Sequence, residues 1–84
     1  MTNMSKKVLR FTASWCQPCK MLAKTLENMT TDVPIDVIDI DENQELAIQY
    51  GIRGVPTLVM LENDTEVKRI SGVQTEGFLK DWLV

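Results

Sequence analysis

Eighty-four residues, 44% hydrophobic and 25% charged, make one small domain over residues 1–84 with one modest core, and exclude disordered, collagen-like and heptad-built classes. A formal net charge of −3 argues against a nucleic-acid face, and the absence of histidine removes Ser-His and Cys-His nucleophile pairs and imidazole zinc ligands. The longest aliphatic run, Leu58 to Leu61, is far short of the ~20 apolar residues a membrane-spanning helix needs, and Arg10 interrupts before an export-signal core can form.

In chain order, Val8 to Thr12 is a β-rich run after a charged, frayed N-terminus and predicts the first strand, which stops at Ala13 and Ser14. From Pro18 to Met29, Leu22, Leu26 and Met29 recur at helical spacing with Lys20, Lys24 and Glu27 turned outward, so an amphipathic helix follows. Ile35, Val37, Ile38 and Ile40 form a β-branched run interrupted by Asp36 and Asp39, as suits a strand near one side of a sheet. A strand, a helix and a strand in that order predict two parallel strands with the helix over one face.

Asp41 and Gln44 have the spacing of a capping box, and Leu46, Ala47 and Tyr50 predict a two-turn helix ended by Gly51. Thr57 to Leu61, the turn-like Glu62 to Thr65 and the alternating Glu66 to Ile70 predict an antiparallel hairpin, with Glu66, Lys68 and Arg69 blunting an exposed edge. Thr75 caps a last helix whose inner face is Phe78, Leu79, Trp82 and Leu83. The predicted fold is therefore α/β: a four-stranded mixed sheet, two parallel strands plus an antiparallel hairpin, flanked by three helices.

Two cysteines are too few for a multi-disulfide scaffold or a complete zinc site. Cys16-Gln17-Pro18-Cys19 lies where the first strand turns into the helix, and Pro18 is tolerated there because first-turn N–H groups have no helical acceptor to lose. Residues three apart on a helix are about 5–6 Å apart, within the span a disulfide accepts. Cys16 at the helix start meets the positive dipole end and orphan N–H groups, both of which favour thiolate. An exposed Cys16 is thus expected to attack a substrate disulfide and Cys19 to resolve the mixed disulfide. The plainer readings are two core thiols, or half of a metal clip completed by a partner chain.

Trp15-Cys16-Gln17-Pro18-Cys19-Lys20, followed by Tyr50-Gly51-Ile52-Arg53-Gly54-Val55-Pro56-Thr57, resembles the thioredoxin family, and Phe11, Ala13 and Gly72 extend the likeness over essentially the whole chain. The resemblance implies a minimal thioredoxin-like fold, without the first strand and helix of a full-length thioredoxin. It implies a cis Val55-Pro56 bond facing the cysteines, with the Val55 backbone binding an extended substrate segment, where the residues alone would read Pro56 as a plain strand-start proline. It places Trp15 on the surface beside the thiolate, with Gln17 and Pro18 between the cysteines and Gly54 and Gly72 on the apolar rim, although each glycine also reads as a turn residue. Trp82 reads as core.

Three positions depart from the family pattern. Arg10 stands where thioredoxins carry a buried Asp that assists the second cysteine, Val37 replaces its Lys partner, and Gln17 replaces the usual Gly, so the redox potential need not lie near thioredoxin's roughly −270 mV. Arg10 is expected to be solvated or, in the alternative, to aid thiolate formation.

The resemblance implies a cytoplasmic, monomeric thiol-disulfide oxidoreductase without a bound cofactor or metal. It would reduce protein disulfides, with ribonucleotide reductase a common client of the family, and be recharged by thioredoxin reductase or an equivalent donor. A glutathione-linked, glutaredoxin-like reductase and a non-catalytic binding subunit are the rival readings. Ser71-Gly72-Val73 does not reproduce a glutathione loop.

Overall fold

The computed structural model describes residues 5–84, and the expected frayed terminus ahead of Ser5 lies outside them. Element order is β1 (Lys6–Thr12), α1 (Gln17–Glu27), β2 (Ile35–Asp39), α2 (Gln44–Gln49), β3 (Thr57–Glu62), β4 (Thr65–Ser71) and α3 (Glu76–Trp82). The sheet runs β2-β1-β3-β4, with β1 parallel to β2 and antiparallel to β3, and β3 antiparallel to β4. This is the predicted mixed sheet with three helices.

Side chains of β1 point alternately to the two faces of the sheet, and the helices are sorted between those faces. Val8 points to the side where Leu22 of α1 meets Leu79, Trp82 and Leu83 at the end of α3, joined by Leu58 and Met60 of β3. Leu9 and Phe11 point to the other side, where Val59 and Leu61 pack with Leu46 and Tyr50 of α2. Because β3 lies between β1 and β4 and is covered on both faces, it reads as a continuous apolar run, Leu58 to Leu61, all of it buried. Pairing of Lys6 and Lys7 with Glu62 and Leu61 extends β1 two residues before its predicted start.

The β3–β4 turn is tighter than predicted. Asn63 and Asp64 both take positive φ, at 52° and 70°, and close a two-residue turn whose twist suits a hairpin. Beyond it Leu61 pairs with Glu66 but Met60 with Lys68, so Val67 is an extra residue, a β-bulge.

Four local expectations are corrected. The Asp41/Gln44 capping box does not form: Asn43 is the N-cap of α2 without a side-chain bond, and the turn is held through Asp39, whose Oδ1 accepts from the Asp41 N–H at 2.8 Å. α1 ends at Glu27, so Met29 reaches the core from beyond the helix. β2 stops at Asp39, though the Ile40 N–H still donates to Thr12 O at 2.9 Å. Phe78 is 44% exposed, because the inward stripe of α3 runs Leu79, Trp82, Leu83 and its neighbour Phe78 falls outside it. The Thr75 cap does form, its hydroxyl accepting from the Phe78 N–H at 3.1 Å.

Candidate active site

β1 delivers the chain to the site at its C-terminal end. Ala13 is buried beneath the turn, and its carbonyl accepts from the Cys16 N–H at 3.2 Å. Cys16 is itself the N-cap of α1, with extended backbone, and its sulfur accepts from the Cys19 N–H at 3.2 Å. Gln17 and Pro18 occupy the first two helical positions and are exposed, the place where a proline forfeits no helical hydrogen bond. The cysteines are joined as a disulfide with their Cα atoms 5.2 Å apart, within the range a disulfide accepts.

An N-cap side chain normally offers an oxygen to the orphan N–H groups of the first turn. Here sulfur does so, and once the bond is reduced the same donor and the dipole's positive end favour the thiolate of Cys16 over its thiol. Cys19, a turn into the helix, lacks that cap position.

Exposure does not follow expectation. Cys16 is 4% exposed and Cys19 1%, packed with Ala13, Ile40 and Val55, so the disulfide lies in a shallow apolar seat with Cys16 the more accessible end. An open Cys16 is corrected to one largely covered in the oxidised chain. Packing beside Ile40 and Val55, which are 24 and more residues away in sequence, is what covers it.

Facing the cysteines is the segment between α2 and β3. Gly51 takes positive φ at 62°, ending α2 as expected, and the Val55-Pro56 bond is cis. Val55 O lies 3.7 Å from Cys16 Sγ, and Pro56 is buried. Thr57, a buried polar residue that sequence reasoning did not single out, donates its hydroxyl to Gly54 O at 2.8 Å and lies 3.1 Å from Ser71 Oγ. Gly72 donates its N–H to Pro56 O at 2.9 Å and sits at φ +90°, where a side chain is strained. Gly54 is exposed, and an added Cβ there would meet nothing within 4 Å.

Trp15 stands beside the pair, 66% exposed, and its indole Nε1 donates to Asp41 Oδ2 at 2.8 Å. Asp41 was missed as a site residue because local spacing assigned it to a helix cap. No pattern within a few residues signals a bond across 26 positions.

Arg10 and Val37 are paired neighbours on β1 and β2, so the two departures from the family pattern meet in space. Burial lowers the Arg10 pKa from its ordinary value, and the Glu27 carboxylate opposes that shift. Glu27 ends α1, eight residues beyond Cys19 and hence about 12 Å along the helix. The guanidinium thus shares its field with the end of the helix remote from the sulfurs.

Two sulfurs joined one helical turn apart hold a reversible two-electron bond, which defines a protein-disulfide oxidoreductase. The chain matches the Thioredoxin family model over residues 1–84 and belongs to the thioredoxin family. Among curated relatives it is 40% identical over 72 residues to a thioredoxin of Chlamydia pneumoniae, covering 82% of this chain and 71% of that one. It is 39% identical over 75 residues to a thioredoxin of Bacillus subtilis (strain 168), covering 84% and 72%.

Among solved structures, a mutant thioredoxin from Halobacterium salinarum NRC-1 superposes with a TM-score of 0.88 at 43% identity, over 95% of this chain and 73% of that one. Oxidised mitochondrial thioredoxin 3 from Saccharomyces cerevisiae gives 0.84 at 28% identity, over 95% and 77%. Family membership implies disulfide-bearing protein substrates and a reductase that returns electrons.

Proposed function

We propose that the chain is a thioredoxin-type reductant of protein disulfides, with Cys16 as nucleophile and Cys19 as resolving thiol. The observation that carries this reading is the Cys16 sulfur at the N-cap of α1, accepting the Cys19 N–H with Val55 O alongside. In the reduced protein the Cys16 thiolate attacks one sulfur of a substrate disulfide. A Cys16–substrate bond forms and the other substrate sulfur leaves as thiolate. Cys19, deprotonated, then attacks Cys16 Sγ, closing the Cys16–Cys19 disulfide and releasing the second substrate thiol. Two electrons have passed to the substrate, and a dithiol donor of the thioredoxin reductase kind restores them.

With Arg10 at the family's Asp position, the Cys19 proton passes to water or to the departing thiolate. Trp15, Gln17, Pro18, Gly54, Val55, Pro56 and Gly72 form the surface that receives an extended substrate segment, the Val55 backbone pairing with it as an added strand would. Action as a monomer in a reducing compartment, the cytoplasm, on clients such as ribonucleotide reductase belongs to the same reading.

The test is insulin reduction with dithiothreitol as donor. Wild type accelerates it, whereas Cys16→Ser abolishes the acceleration while keeping an N-cap oxygen and hence the fold. Equal activity in Cys16→Ser defeats the reading. Turnover sustained by glutathione and its reductase, with none from thioredoxin reductase, replaces it with a glutaredoxin-type enzyme.

A further inference from the structure

The bulge at Val67 has a geometric effect on the charged edge. In a regular strand, residues three apart face opposite sides of the sheet. Because β4 spends one extra residue between its pairings with Leu61 and Met60, Glu66 and Arg69 face the same side, that of α2. There they form a two-point pair: Arg69 Nε donates to Glu66 Oε2 at 2.6 Å and Nη2 to Glu66 Oε1 at 2.8 Å. Nη2 also donates to Tyr50 O at 2.8 Å.

Tyr50 is the C-cap of α2, and its carbonyl is one of the acceptors that a helix end leaves without a partner. It is also the last residue before the segment that carries Val55 and Pro56 past Cys16. At the exit of that segment β4 and the residue that follows it take hold again, through Ser71 Oγ near Thr57 Oγ1 at 3.1 Å and the Gly72 N–H on Pro56 O at 2.9 Å. The same strand therefore grips the segment at both ends, and its entry grip depends on one guanidinium. The Glu66 carboxylate, whose pKa is lowered by its hydrogen bond to Arg69, holds that guanidinium in a single orientation.

We propose that Arg69, oriented by Glu66, is a positioning residue for disulfide exchange: by holding the Tyr50 carbonyl it fixes the segment that presents the Val55 backbone to a protein substrate bound at Cys16. This rests on the substrate-binding role given to Val55 above. A small disulfide needs only the sulfur. A protein substrate also needs the aligned backbone, so the two should separate on substitution.

The experiment compares wild type with Arg69→Gln, and with Lys80→Gln as a control that removes the same charge from an exposed position on α3. The reduced proteins are mixed with insulin and with a small aromatic disulfide, and hydrogen exchange is followed at the Gly51 and Ile52 amides, which donate to Ile48 O and Ala47 O at the end of α2. Arg69→Gln is expected to slow insulin reduction about fivefold, the span that an exposed ion pair's energy allows. It should leave the small-disulfide rate unchanged and speed exchange at Gly51 and Ile52, while Lys80→Gln matches wild type in all three. Unchanged exchange at those amides overturns the proposal, as does an equal fall with both substrates or an equal fall in Lys80→Gln. Should wild type fail to reduce insulin, the function proposed for the chain falls, while the exchange measurement still reads the clamp.

Discussion

Trp15 and Asp41, 26 residues apart, are joined by a 2.8 Å hydrogen bond from indole Nε1 to carboxylate Oδ2 that lays an exposed tryptophan beside the disulfide. A ring of this size, 66% exposed, is held in one orientation only if its single donor is engaged.

Substituting Asp41→Ala removes that acceptor where water can replace it, so stability should change by about 1 kcal/mol or less. Trp15 should become mobile. In a Trp82→Phe background, where Trp15 is the one remaining tryptophan, Asp41→Ala is expected to lower the steady-state fluorescence anisotropy and slow insulin reduction a few-fold. Unchanged anisotropy contradicts the restraint.

Cys19→Ser separates the two sulfurs' roles. Without a resolving thiol, the bond from Cys16 to the substrate persists, and intact-mass spectrometry should record the sum of both chains, collapsing on addition of dithiothreitol. Cys16→Ser should trap nothing. The reverse pattern would exchange the two assignments.

Lys68 closes the C-terminal end of α3: its Nζ donates to Trp82 O at 2.6 Å and stands 5.0 Å from the centre of the Trp82 ring. Lys68→Met keeps the aliphatic stem but loses both interactions, for an expected cost of about 1–2 kcal/mol. Leu79→Ala, at a fully buried position, should cost about 2–5 kcal/mol. In a domain of this size each kcal/mol lowers Tm by roughly 4–8 °C. Thermal unfolding of the two variants should therefore rank Leu79→Ala below Lys68→Met, with disulfide reduction at 20 °C retained in the latter.

Glu66 supplies a pH dependence. Its carboxyl pKa is lowered from the usual 4.5 chiefly by the Arg69 hydrogen bond, so its contribution to stability is fully present above pH 4.5 and is lost as pH falls through the lower folded value. Urea midpoints measured between pH 6 and pH 3 should decline less steeply in Glu66→Gln than in wild type, and the two curves should converge at the acid end. Parallel curves would show that the pair adds nothing to folding.

Much of this molecule was legible along the chain because its signals are local. Alternating and helical apolar spacings placed all seven elements, Thr75 and Gly51 marked a helix start and a helix end, and the two cysteines three apart at a strand-to-helix turn defined the chemistry. Those features depend on backbone period, capping and dipole, which act within one or two turns.

What the folded state alone decided involves partners distant in sequence. Asp41 left a capping role for Trp15, and Cys16 became covered once Ile40 and Val55 closed over it. Arg69, which reads as an edge charge, was brought onto the α2 side of the sheet to meet Glu66 and Tyr50 O by one bulged residue. Short-range periodicity sets which face of an element is apolar. The identity of the atom that a polar side chain finally meets is set by strand register and by the packing of separate elements, neither of which is encoded within a window of neighbouring residues.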